Sequence, residues 1–303
     1  MSEGPGASFD LDRYVKAWKG RVDERLSRLL PLPSPPLPSS ILHEAMRYSL
    51  FAGGKRLRPL LCIAGCEAVG GSGETALATA AGLELIHTYS LIHDDLPALD
   101  NDDFRRGAPT CHKKFGEDIA LLAGDGLLTT AFAVIAEDDE LAAEVRLALI
   151  RRIAAAAGIH GMVAGQVADM VMERAEKFDE SDVNFIHERK TADLIAAAVT
   201  AGALIGHGSE RELRALEEYG RDLGRAFQIR DDVLNVTGGK DLGKGVGTDA
   251  ARGKATWPAI HGLAKSQARV KELSGRAVQA LAGLGGFLEP LRAMAEWVAT
   301  RES

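Results

Sequence analysis

The chain is poor in the features that define several protein classes. It has only three cysteines in 303 residues, an odd number. Cys62 and Cys66 stand at helical spacing in an apolar run, and Cys111 lies far from both. A disulfide framework is excluded, a zinc site would need more ligands nearby, and buried reduced thiols are the expectation. The first residues, M-S-E-G-P-G-A-S, lack the basic start and apolar core of a secretory signal. Uncharged runs such as Leu194 to Ser209 reach sixteen residues, short of the roughly 20 a membrane span needs. A cytoplasmic protein without a membrane span is expected, with residues 1–8 disordered. A basic excess is also missing: the net charge of −7 argues against a nucleic-acid surface. No stretch alternates as a strand does, and no internal repeat is visible.

What remains is helical pattern. With 46% hydrophobic and 26% charged residues, the chain can bury a large core. Apolar residues recur at helical spacing over 9–30, and the proline-rich segment 31–40 interrupts them because proline removes donors and clashes with the preceding turn. Further helices are expected over Ile41–Ala52, ended by Gly53-Gly54, then Pro59–Val69, Glu74–Asp95, Glu117–Ala136, Asp138–Ala157 and His160–Arg174. Another, capped by Ser181 or Asp182, runs to about Ile205, and one more spans Arg211–Val236. Residues 237–256 form a Gly-rich loop with three lysines, long enough to be functional or disordered, and 257–300 return to helical pattern. The expected fold is all-α: one domain over 1–303, a bundle of ten or more helices around a central cavity.

Two acidic groups punctuate this pattern. Asp94, Asp95, Asp100, Asp102 and Asp103 crowd the end of an apolar helix closed by Pro97, and Arg105 and Arg106 follow at once. Carboxylates are disfavoured at the negative end of a helix, so their placement there implies a cation that the sequence does not supply. Mg²⁺, a hard ion that shares its shell with substrate phosphates, suits the site, and paired arginines bind phosphate through their forked donors. The second group is F-Q-I-R-D-D-V-L-N, where Asp231 and Asn235 share one helical face. Asp94 and Asp231 are 137 residues apart, enough for two helices to face each other across a cavity. Either acidic cluster alone could be a solvated surface turn or helix face; together, with basic residues between and after them, they fit a metal-assisted diphosphate site. An apolar cavity beside such a site would hold a hydrocarbon.

With these motifs in view, the chain resembles the trans-polyprenyl diphosphate synthases, and most of all the bacterial farnesyl diphosphate synthases. Five motifs in order carry the resemblance: G-G-K-R-L-R-P (53–59), H-T-Y-S-L-I-H-D-D-L-P through P-T-C-H (87–112), G-Q-V-A-D (165–169), K-T (190–191), and F-Q-I-R-D-D (227–232) followed by L-G-K and G-K-A-T-W-P. The resemblance implies Mg²⁺ held by Asp94, Asp100 and Asp231, with Asp95 a weaker or outer ligand and Asp232 and Asn235 in support. It implies Arg105, Lys190, Thr191, Gln228, Lys244 and Lys254 around an allylic diphosphate. It implies Lys55, Arg58, His87 and Arg106 around isopentenyl diphosphate, although a lone helix histidine such as His87 is more usually a core or capping residue. Gln166 and Asp169 could touch substrate or stand behind those that do, and Lys240 reads as a solvated loop lysine. The family pattern carries aspartate where Asn235 stands. Asparagine keeps an oxygen ligand but removes a charge, so weaker or water-bridged metal binding is expected there. The implied reaction is ionisation of the allylic diphosphate, attack by the double bond of isopentenyl diphosphate, and proton loss to the departing diphosphate. Thr191 and Gln228 oxygens could steady the cation. The implied assembly is a homodimer.

Tyr89, five residues before Asp94, lies more than one helical turn (5.4 Å) deeper than the acids. The resemblance makes it the floor that stops growth at fifteen carbons; otherwise it is ordinary core packing. The competing readings are a twenty-carbon (geranylgeranyl) synthase, a terpene cyclase, which would not need Lys55, Arg58 and Arg106, and a non-catalytic subunit modulating a synthase partner.

Overall fold

A computed structural model describes residues 9–238 and 253–302. The expected disorder of 1–8 and the loop lysines Lys240 and Lys244 lie outside the described residues.

Helix boundaries follow local chemistry. α1 (Leu11–Leu29) starts at Asp10, whose carboxylate accepts the Arg13 amide at 2.9 Å. After the proline-rich connector come α2 (Ser40–Leu50) and α3 (Leu57–Ala68), the latter with Pro59 in its first turn, where no amide partner is lost. α4 (Leu77–Asp94) ends on the first acidic cluster. It is shorter at its start than the expected Glu74–Asp95 because residues 73–76 form turns. The absence of strands needs one correction. Phe104–Arg105 pairs antiparallel with Ala108–Pro109 in a minimal hairpin. Its tip is Arg106-Gly107, both at positive φ (52° and 79°), as a tight two-residue turn demands.

There follow α5 (Cys111–Phe115), α6 (Glu117–Ala136), α7 (Ala143–Ala157) and α8 (Met162–Glu173). The helix expected from Ser181 or Asp182 is instead capped by Asp179, in a reciprocal capping box with Asp182. It is also not uniform: α9 (Glu180–Ile186) passes through a π-helical stretch, His187–Ala192, into α10 (Asp193–Ile205). α11 (Glu210–Thr237) is opened by a Ser209–Glu212 capping box and closed by Gly238 at φ 75°. At 28 residues it is about 42 Å long at 1.5 Å per residue. α12 (Trp257–His261), α13 (Leu263–Ala280) and α14 (Glu289–Thr300) complete the chain.

One continuous core runs through the bundle. Its axis is α10, buried along its whole length except Leu204, and flanked by α3, α7 and α11. α4 lies between α3 and α6. Small residues permit this proximity. A Cβ at Gly202 would overlap the Cys62 carbonyl oxygen of α3, and one at Gly220 would come within 2.5 Å of the Ala196 Cα. All three cysteines are buried free thiols. Two segments, Glu117–Ala136 and Ala143–Glu173, are long and apolar enough to cross a bilayer by length and composition alone, which the sixteen-residue uncharged runs had not indicated. Here each packs one side into the fold, α6 on α4 and α7 on α10.

Gly202→Ala is expected to lower the urea-unfolding free energy by roughly 1–3 kcal/mol through overpacking. Gly20→Ala, on the exposed side of α1 with no atom within 4 Å of the added Cβ, is expected to raise it by about 0.5–1 kcal/mol.

Candidate active site

Asp94 at the end of α4 and Asp231 on α11 open onto one cavity of about 500 Å³. The π-helical stretch contributes Lys190 and Thr191, α11 adds Phe227 and Gln228, and α8 supplies an apolar wall with Met162, Val163, Val167 and Met170. Arg58, His87 and Arg106 enclose another part of the lining, and Tyr89 and His93 stand on α4 beside Asp94. The cavity is therefore charged on one part of its surface and apolar on another.

Cations neutralise most of the acids. Lys190 Nζ lies 2.6 Å from Asp169 Oδ2. Burial opposes its charge, but Asp169, Asp94 and Asp100 outweigh burial and hold its pKa above that of an ordinary lysine. Lys254 stands 3.4 Å from both Asp100 and Glu173. Against burial and the repulsion of Lys190, Asp169, Asp100 and Glu173 raise its pKa too. Arg105 grips both oxygens of the buried Asp95 at 2.6–2.9 Å. Asp231 is met by Arg301, third from the C-terminus, whose guanidinium donates to Asp231 Oδ1. That guanidinium also lies over the Phe227 ring at 4.1 Å.

Hydrogen bonds fix the remaining groups. Thr191 Oγ1 donates to Gln228 Oε1 at 2.7 Å, and Gln228 Nε2 donates to Asp232 Oδ1 at 3.1 Å. The other Asp232 oxygen accepts from the Trp257 amide and faces His187 Nε2, each at 3.1 Å. Asp232 thus ties α11 to the π-helical stretch and to α12. The π-bulge, a feature often found at functional sites, packs its Lys190 backbone against Gly165 of α8, where a Cβ would overlap it.

The residues present fit a divalent ion. Asp94 and Asp231 are hard oxygen donors on a shared cavity, and no cluster of three or more potential ligands closes a cage among the described residues. Such an arrangement suits Mg²⁺, which completes its shell with water and substrate phosphate oxygens. The cavity also offers donors for those phosphates: Arg58 Nε and His87 Nδ1 are buried without a hydrogen-bond partner among the described residues. Buried polar atoms normally find partners, so these orphaned donors suit an anion in the cavity.

Residues 39–282 match the family model described as polyprenyl synthetase. The chain belongs to the polyprenyl synthetase family. It is 47% identical to the farnesyl diphosphate synthase of Geobacillus stearothermophilus, over 87% of this chain and 89% of that protein. It is 45% identical to the heterodimeric geranylgeranyl pyrophosphate synthase large subunit 1 of Arabidopsis thaliana, over 100% and 82% respectively. Among solved structures, it superposes with a TM-score of 0.85 on an FPP/GFPP synthase from Zymomonas mobilis in its apo form, at 37% identity, over 96% of this chain and 99% of that one.

Within this family member, the residues singled out from the sequence fall into two groups. Arg58, His87, Tyr89, Asp94, Arg106, Gln166, Lys190, Thr191, Gln228 and Asp231 line the cavity. Among the described residues, Lys55, Asp95, Asp100, Arg105, Asp169, Asp232, Asn235 and Lys254 stand outside that lining. Asp95 and Arg105 face each other, so neither is directed at the cavity in this structure, and Lys55 lies over the Trp297 ring at 4.8 Å. Gly53-Gly54, expected to end a helix that in fact stops at Leu50, has another use. The pair adopts φ 95° and 124°, and the Arg106 guanidinium lies against it, donating to the Gly53 carbonyl. A Cβ at Gly54 would stand 2.6 Å from Arg106 Nη1.

Sequence reasoning missed two residues. Arg56, at φ 53°, is buried between Glu84 (2.8 Å) and Asp23 (2.9 Å) and caps the Leu50 carbonyl at 2.7 Å. It anchors the turn between Lys55 and Arg58. Glu84 was the available signal, because a lone acid inside the apolar α4 demands a buried partner. Arg301 carried no signal, since a terminal arginine ordinarily reads as solvated.

Burial, then Arg58, Arg106, Arg105 and Arg56, push the His87 imidazole well below the usual histidine pKa. The folded state therefore resists a proton that the unfolded chain accepts below about pH 6.5. This contribution to stability is intact at neutral pH and above and is lost as pH falls. The urea midpoint of His87→Gln is expected to drop less than that of the wild type between about pH 7 and pH 5. Arg301→Gln removes the resident cation from Asp231. Calorimetric titration of the substrate-free protein is expected to show Mg²⁺ binding tightened by up to about fivefold, the scale of a partly exposed ion pair of ~1 kcal/mol.

Proposed function

We propose that the protein is a farnesyl diphosphate synthase, condensing isopentenyl diphosphate with dimethylallyl and then geranyl diphosphate. The observation that carries this reading is the shared cavity: carboxylates from two helices and basic side chains on one part, an apolar wall on the other. Bound Mg²⁺ at Asp94, Asp100 and Asp231 would supply Lewis-acid stabilisation of the leaving diphosphate.

Lys190 and Lys254, kept charged by their acidic neighbours, bind the allylic diphosphate and add fixed positive charge where negative charge develops. Arg58, Arg106 and Lys55 hold isopentenyl diphosphate, and His87, kept neutral, can hydrogen-bond it. The oxygens of Thr191 and Gln228 are fixed by their mutual hydrogen bond beside Phe227 and present dipoles to an allylic cation. The α8 wall keeps water from it. The proton lost in the last step goes to the departing diphosphate, so no protein base is assigned.

The fifteen-carbon product rests on Tyr89, whose ring is 7% exposed and lines the cavity one turn and more below Asp94. The geranylgeranyl reading is the second one, favoured by relatives of that type at 45% identity beside the farnesyl type at 47%. A homodimer is proposed from the exposed apolar side chains Leu121 and Leu122 on α6. Such a face marks an association surface. The buried free thiols suit a reducing compartment, and the cytoplasm is the proposed location.

Incubation with isopentenyl and dimethylallyl diphosphates is expected to give a Mg²⁺-dependent fifteen-carbon product, identified by chromatography. Tyr89→Ala is expected to lengthen it. A twenty-carbon wild-type product would retain the chemistry and discard the floor. No product with intact, folded protein would transfer weight to a non-catalytic subunit.

A further inference from the structure

Tyr89 does not stand alone. His93, four residues on and therefore on the same helical face, lines the same cavity and meets the Tyr89 ring edge to face, with centroids 5.7 Å apart and planes at 83°. His93 is itself held from the neighbouring helix: its Nε2 lies 3.0 Å from the Leu121 carbonyl oxygen of α6 and 3.9 Å from Asp125 Oδ1. The ring fits there only because residue 124 is glycine, since a Cβ at that position would overlap it. The arrangement is a chain of contacts from α6 through His93 to the Tyr89 ring.

An aromatic side chain has two torsions, and a ring blocks a hydrocarbon channel only while both are fixed. The Tyr89 ring meets the His93 edge. Removing that edge opens space next to the cavity and frees the Tyr89 ring to rotate into it. We infer that His93 is a positioning residue for product length, holding the Tyr89 ring across the cavity with α6 as its support. This rests on the reading of Tyr89 as the floor, and deepens it.

The test compares wild type, His93→Ala, Tyr89→Ala, the double variant and His93→Gln, whose amide can still donate to the Leu121 carbonyl. Product lengths are read from isopentenyl and dimethylallyl diphosphates. Expected are a longer product from His93→Ala, no further lengthening of Tyr89→Ala by the second change, and a return toward the wild-type length in His93→Gln. Non-additivity of this kind is the mark of two residues acting through one contact. A His93→Ala product of wild-type length, or lengthening that adds to that of Tyr89→Ala, overturns the inference. A second measurement does not depend on turnover. In protein labelled with fluorotyrosine, the fluorine resonance assigned to Tyr89 by loss in Tyr89→Phe should shift or broaden in His93→Ala and recover in His93→Gln. An unchanged resonance overturns the positioning role even if the wild-type product is fifteen carbons. A shifted resonance with a wild-type product of another length leaves the positioning intact and removes only the fifteen-carbon reading.

Discussion

Concentrated negative charge inside a helical bundle is the constraint on which this structure depends. Carboxylates from two helices face a partly buried cavity, where repulsion is far less screened than in water. The fold answers most of the acids in and around that cavity with an internal cation: Lys190 on Asp169, Lys254 on Asp100, Arg105 on Asp95, Arg301 on Asp231. These cations come from the π-helical stretch, the segment before α12, the small hairpin and the C-terminus, so distant parts of the chain converge on one electrostatic problem. Breaking a buried pair by removing one partner is strongly destabilising because it strands the other charge. Lys190 and Lys254 are also the groups proposed to meet the allylic diphosphate, so the substrate-free charge balance and the proposed chemistry share those two side chains.

The second constraint is proximity. α10 can run through the centre of the bundle only because glycines on it and on its neighbours let backbones approach to distances that a Cβ would forbid. The π-bulge at its start rotates Lys190 and Thr191 into the cavity lining while Gly165 gives α8 room against them. Packing and site geometry are therefore one arrangement: the residues that let helices touch are those that aim the charged groups. Arg56 serves similarly between α2 and α3, where its buried fork to Glu84 and Asp23 sets the turn that separates Lys55 from Arg58.

Much of this was legible in the chain. Helical spacing, capping residues and prolines located most helices to within a few residues, because those signals act over one or two turns. The first acidic cluster was legible because acids at a helix C-terminus oppose the dipole, the second because Asp231 and Asn235 share one helical face. The two-residue hairpin escaped notice because it is too short to alternate. The π-bulge escaped because a one-residue insertion in a helix leaves no periodic trace over six residues.

By itself, then, the sequence determined the all-α class, the family, and which side chains could meet a diphosphate, since residue type and local spacing decide those. Tertiary structure decided their partners: that Asp95 belongs to Arg105, that Asp232 ties α11 to the π-helical stretch, that His93 leans on α6, and that Arg301 returns from the far end of the chain to Asp231. Those pairings join residues from ten to seventy positions apart, and only the packing of whole helices, not the preferences of any segment, brings them together.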